Sequence, residues 1–158
     1  MTDIYLPATP APASVRITPR QRTKVSTASS GRILSRLYGG QSYSMTLVYN
    51  PMHKATAAPL LAFLQEMQGR HGIFRVDVPQ LNGVGGLNVG SFVNFSDDTK
   101  LHMITGTGPL TYSPPQRGSG TVSATSPYMR CSFTSDTQEF SLAKNGLISL
   151  QLELVERV

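Results

Sequence analysis

The sequence predicts a mainly β protein: an antiparallel β-sandwich or partly open barrel with one α-helix at about 57–68 and an extended N-terminal arm. Three observations point there. The 158 residues include 14 glycines and 11 prolines, both of which interrupt helices and argue against a helical bundle. Charged residues make up only 15% of the chain, against roughly 25% in an average soluble domain, which excludes a highly charged disordered chain. From residue 42 onwards, short runs alternate polar and apolar side chains. The expected organisation is an arm over 1–40 and a single β-rich domain over 41–158.

The arm differs in texture from the rest. Pro7, Pro10, Pro12 and Pro19 favour an extended, polyproline-like path over a helix. Residues 21–31 are polar and small. Charge is concentrated here: Arg16, Arg20, Arg22, Lys24, Arg32 and Arg36 face Asp3 alone, whereas acids and bases balance over 41–158. The net charge of +5 therefore resides in the first quarter of the chain. A basic arm suits an acidic partner: nucleic acid, a membrane surface or an acidic protein face. The six cations contain no run of four, so the arm lacks the density of a nucleic-acid tail. Ile4, Tyr5, Leu6, Val15, Ile17 and Val25 are apolar footholds that a plain tether would not need.

In the domain, residues 42–49 place Tyr43, Met45, Leu47 and Tyr49 on one face of a strand, which Asn50-Pro51 is expected to end. Leu60, Leu61, Phe63, Leu64 and Met67 form an apolar helical stripe, and Gly69 suits the left-handed position just beyond it. Residues 72–78 read as a second strand closed by Pro79. A flexible loop follows over 82–86. Further strands are expected at 90–95, 100–105, 109–112, 119–124, 128–133 and 138–142. The clearest is 147–155, where Ile148, Leu150, Leu152 and Leu154 alternate with Ser149, Gln151 and Glu153.

Candidate chemistry is thin, and no catalytic, cofactor-binding or metal-binding residue is assigned. His53, His71 and His102 fall in separate contexts, without metal-ligand spacing. Asp97-Asp98 stands in a Ser-Asp-Asp-Thr turn, where Asp is favoured by turn chemistry. The glycines at 83, 85 and 86 lead into a strand rather than a helix, unlike a dinucleotide fingerprint. No nucleophile elbow or phosphate-binding lysine loop is found. The lone Cys131 excludes an internal disulfide and reads as a small buried residue. Only Tyr5 and Tyr38 interleave with the arm cations, so direct sequence-specific DNA binding is not expected. No apolar run approaches the roughly 18–20 residues needed to cross a bilayer, so no membrane insertion is expected either. The first residues are polar and Pro-rich, and no secretory leader is expected.

Several short motifs occur in a definite order. They are Gly31-Arg32, Ser35-Arg36, Gly39-Gly40-Gln41, Tyr43-Ser44-Met45-Thr46-Leu47, Tyr49-Asn50-Pro51-Met52 and Ala58-Pro59-Leu60. Ala62-Phe63-Leu64 and Gly69-Arg70-His71-Gly72-Ile73-Phe74 follow, then Lys100-Leu101-His102-Met103-Ile104 and Leu110-Thr111-Tyr112-Ser113-Pro114-Pro115-Gln116-Arg117. This order resembles the distal tail proteins of long-tailed bacteriophages, over residues 31–117 and more loosely to 156.

The resemblance implies a structural virion protein of the tail tip, without enzyme activity or cofactor. It implies a β-rich core domain assembled with itself as a sixfold baseplate ring that joins the tail tube to the hub and host-recognition parts. Larger members add a carbohydrate-binding-like domain, which this length is not expected to accommodate. In such a ring the arm would clasp the next subunit, with Arg16, Ile17, Arg20, Arg22, Lys24 and Val25 as candidate intersubunit contacts. The alternatives are another ring-forming tail or head-to-tail connector protein, and beyond those a nucleic-acid-binding module.

Overall fold

The computed structural model describes residues 3–83 and 86–158, so the expected loop at 82–86 lies partly outside the described residues. The elements follow in chain order as β1 (Ser14–Arg20), β2 (Thr23–Thr27), β3 (Ile33–Leu37), β4 (Ser42–His53), α1 (Lys54–Glu66), β5 (Phe74–Val76), β6 (Phe92–Phe95), β7 (Asp98–Thr107), β8 (Leu110–Ser113), β9 (Val122–Ser123), β10 (Met129–Phe133), β11 (Phe140–Leu142) and β12 (Leu147–Glu156). The main sheet runs β1-β4-β12-β10-β5, with β11 paired to the first half of β12. A second sheet runs β8-β7-β6-β9, and β2-β3 form a separate hairpin. All named strand pairs are antiparallel. The fold is mainly β with one helix and sandwich-like layering, in agreement with the alternation in the sequence.

The core lies on one face of the main sheet. Period-two alternation puts Tyr43, Met45, Leu47 and Tyr49 of β4 inside, together with Ile148, Leu150, Leu152 and Leu154 of β12. Register makes Leu152 the neighbour of Leu47, and Leu154 that of Met45. The facing layer has two parts. Helix α1 contributes Leu60, Phe63 and Leu64, and Phe63 meets Phe74 edge-on at 5.0 Å. The second sheet contributes Leu101 and, at its margin, Phe92, whose ring meets Tyr43 edge-on at 6.0 Å. Val93, Phe95 and Ile104 form a smaller cluster of their own. Buried Asn94 ties this sheet to the approach of β10, donating to the carbonyls of Lys100 and Tyr128 and accepting from the Tyr128 N–H at 2.7 Å.

Three local expectations shift. β4 does not end at Asn50-Pro51 but runs on to His53. Tyr49 pairs with Leu150 and Met52 with Ile148, so Asn50 and Pro51 together face Ser149 in a bulge, where a missing proline donor costs no ladder bond. The helix starts at Lys54, directly after the strand, and holds Pro59 inside it, ending at Glu66 rather than 68. Gln68 and Gly69 then turn left-handed at φ 51° and 65°. A Cβ on Gly69 would lie 2.8 Å from the Asp136 Cα, so glycine is required by close approach as well as by φ.

The third shift concerns the arm. It is extended, but residues 14–20 are a strand of the main sheet, paired with β4 from Ser14–Val48 to Arg20–Ser42. Val15 and Ile17 reach the core from there, and backbone pairing overrides the modest local signal. Further upstream, Tyr5 makes a parallel bridge to Arg75, with Leu6 N–H on the Arg75 carbonyl at 2.9 Å. Asp3 pairs with the Arg75 guanidinium at 2.9 Å, and that guanidinium lies 4.2 Å from the Tyr128 ring centre. Residues 4–20 thus strap the main sheet from its β5 edge to its β1 edge.

Leu152 is fully buried at the centre of this face. Leu152→Asp should give insoluble or unfolded protein, since an unpaired buried carboxylate costs on the order of several kcal/mol. A soluble variant with unchanged thermal melting would show that the inward face is misassigned. Gly69→Ala should lower stability by about 1–3 kcal/mol in denaturant unfolding, through a strained φ and the collision with Asp136. Wild-type stability in that variant would contradict the tight approach.

Candidate functional site

The most exposed feature is the β2-β3 hairpin. Every residue of both strands is exposed to solvent. Register pairs Lys24 with Arg36 and Ser26 with Leu34 on one face, and Thr23 with Leu37, Val25 with Ser35 and Thr27 with Ile33 on the other. One face is therefore basic, and the other is apolar and hydroxyl-bearing. Val25, Ile33 and Leu37 are 60–69% exposed, uncommon for three large apolar side chains on one small ribbon. The turn at its tip closes through Ala28 N–H on the Arg32 carbonyl, with Gly31 at φ 80°. No Asp or Glu occurs between residues 4 and 65, so the hairpin carries no acid to balance its cations.

The root of the hairpin is anchored by buried polar groups between the two sheets. Tyr38 N–H donates to the Arg22 carbonyl at 2.8 Å, and the chain then turns through Gly39 and Gly40 at φ 75° and 71° into β4. Lys100 Nζ reaches the Gln41 carbonyl. Ser113 Oγ donates to Gln41 Oε1 at 2.7 Å, and the Tyr43 hydroxyl donates to the Ser113 carbonyl at 3.0 Å. A cleft of about 240 Å³ opens beside this root, lined by Arg22, Leu37, Gly40, Asp98, Lys100 and Arg117 among others.

Glu156 is the deepest acid of the network. Its carboxylate accepts the Tyr43 N–H of β4 at 3.0 Å and the Leu101 N–H of β7 at 2.8 Å, bridging the two sheets. Burial pushes its pKa up, while the two N–H donors and the charges of Lys100 and His102 pull it back. Burial, with a smaller contribution from Glu156, raises the Tyr43 hydroxyl to about 12. Burial alone raises Tyr49 to about 12. The Cys131 thiol is fully buried and pushed well up by desolvation and then by Glu156, so it stays protonated as an inert core group.

The sequence candidates fall in different places. His53 is exposed at the end of β4, His71 is exposed in a short 3-10 turn, and His102 is fully buried in β7. His102 Nδ1 lies 2.7 Å from the Pro114 carbonyl and Nε2 lies 3.2 Å from Asp98 Oδ2. Both ring nitrogens are committed, which leaves neither facing a nucleophile. Asp97 accepts the Gly120 N–H at 2.7 Å, tying a distant loop to the β6–β7 turn, and Asp98 accepts the Lys100 N–H at 3.0 Å within that turn. Among the described residues no three His, Cys, Asp or Glu side chains could hold a metal. No described helix is long and apolar enough to cross a membrane.

Of the arm contacts, Ile17 is half-buried against its own core, and Arg16 stands exposed on the outer face of the main sheet. Arg20 is exposed at the end of β1, Arg22 lines the cleft at the root, and Lys24 and Val25 lie on opposite faces of the hairpin. Glu156 was missed by sequence reasoning. It continues the inward series 148, 150, 152, 154, and a carboxylate at an inward position was the available signal.

Because Glu156 has a higher pKa folded than unfolded, its contribution is complete below the ordinary carboxylate range and is lost as pH rises through the folded value. Thermal melts from about pH 4 to pH 8 should therefore show Glu156→Gln losing less stability with rising pH than the wild type. Its baseline should be about 1–3 kcal/mol lower, because an amide NH2 would confront one of the two N–H donors. Parallel pH profiles would assign the titration to another group.

Comparison with known proteins gives this chain no family: no protein-family model matches it, and neither does any curated protein.

Proposed function

We propose that the chain is a structural subunit of a bacteriophage tail tip: a distal tail or baseplate ring subunit joining the tail tube to the hub or host-recognition parts. The observation that carries this reading is the exposed β2-β3 hairpin, basic on one face and apolar on the other. A two-stranded hairpin is at best marginally stable alone in water, and three exposed large apolar side chains gain by burial against a partner. The order of motifs over 31–117 supplies the kind of partner, and the antiparallel, mainly β fold suits that role. In this reading the protein acts without catalytic turnover, and its first partner is a copy of itself in a ring, by analogy a hexamer. A connector of the head-to-tail junction is the nearest alternative within the same class.

The test is assembly. Purified protein should form closed rings by native mass spectrometry and negative-stain microscopy. Removing residues 2–26 would also remove β1 and uncover the edge of β4, so a cleaner variant joins Arg22 to Tyr38 through a two-residue turn. That variant should keep the wild-type circular dichroism and melting but remain monomeric. Rings formed by the shortened variant would rule out the hairpin as the assembly element. A wild type that stays monomeric at every concentration, and binds DNA with affinity falling steeply with salt, would favour the nucleic-acid reading instead.

A further inference from the structure

The outer face of the main sheet carries a groove of about 530 Å³ between β4, β12 and the loop over 134–139. Its floor is Val48, Ser149 and Gln151, and the only charged residues lining it are Glu139 and Glu153. Neither carboxylate has an ion-pair partner among the described residues: Arg16, on the same face, is set apart from Glu153 by the strand carrying Thr46, and Arg157 donates to Ser132 Oγ. The hairpin presents the opposite charge. Lys24 and Arg36 are direct cross-strand neighbours, a like-charge pairing that weakens the ribbon, and neither has an ion-pair partner among the described residues. Two unpaired carboxylates and two unpaired cations therefore occur on two surfaces of one molecule.

Those surfaces do not meet within the chain. The hairpin leaves the sheet at the Arg20–Ser42 pair, and all its strand residues are exposed. The groove begins at Val48, six residues further along β4, which is about 20 Å at strand rise. Complementary surfaces at opposite ends of one sheet make a head-to-tail contact, which generates a closed ring or an open filament. We infer that the groove at Glu139 and Glu153 is the receptor for the basic face of the β2-β3 hairpin of a second copy of this chain. Lys24 and Arg36 pair with the two carboxylates, and Leu34 packs on Val48. This inference rests on the ring reading and names the surface that reading leaves open.

The test reverses charge on one side at a time. Glu139→Lys with Glu153→Lys, and separately Lys24→Glu with Arg36→Glu, should each raise the concentration needed for assembly by about tenfold or more at low salt. Melting of the isolated subunits should stay at the wild-type value, because all four residues are exposed. Mixed together, the two variants should assemble again, since each hairpin then meets a groove of opposite charge. Assembly of the groove variant at wild-type concentration would overturn the groove while leaving the ring reading intact. Failure of the mixture to recover would overturn the pairing in the same way. A monomeric wild type would overturn both.

Discussion

The architecture turns on one carboxylate. Where the β4–β12 ladder runs out and β7 of the second sheet arrives, two backbone N–H groups are left at depth without a strand to pair them. Glu156 accepts both, from Tyr43 and from Leu101. A buried backbone donor without a partner costs more than the hydrogen bond itself contributes, so these two sheets could not be layered here with an apolar side chain at 156. Burying the charge carries its own cost, which the two N–H donors and the nearby Lys100 and His102 offset only in part. The same cluster continues through Lys100, Gln41, Ser113 and Tyr43 to the root of the hairpin. The exposed hairpin is thereby attached to a buried, hydrogen-bonded cluster between the two sheets.

The N-terminal forty residues first bind their own subunit and then leave its body. Residues 4–6 cover the β5 edge, residues 14–20 add a strand to the other side of the sheet, and only then does the chain leave the body as the hairpin. The β5 edge is thereby covered, whereas β1 becomes the edge strand on the other side, with Pro19 lacking the N–H that a further strand would need there.

Much of this architecture was legible in the sequence because alternation is a direct record of one dry and one wet sheet face. β4, β12 and the short strands between them follow it closely. The hairpin was harder to see: it buries neither face in its own subunit, so Thr23–Thr27 carries no buried-face pattern, and only the Ser29-Ser30-Gly31 turn marks it. β1 was hidden for a related reason. Val15 and Ile17 alternate correctly, but prolines on both sides read as irregular chain, and only the long-range partner β4 makes the segment a strand. Glu156 looked like a polar end to a strand. Its role depends on where β7 lies, which no local pattern records.

The position of β12 in the sheet has a kinetic side. The last strand of the chain is a central one, flanked by β4 on one side and by β11 and β10 on the other. Its partners are about a hundred residues away on β4, so a large share of the native pairing is non-local, the regime in which folding is slow. On a ribosome, β4 emerges early with β1 as its one available neighbour, and its other edge waits until residues 147–156 appear. Through that interval the apolar face of Tyr43, Met45, Leu47 and Tyr49 and an open strand edge are presented together, the combination that makes nascent β chains prone to aggregate. Arrival of residues 147–156 closes the sheet in one step, joining β4 to β10 and β11.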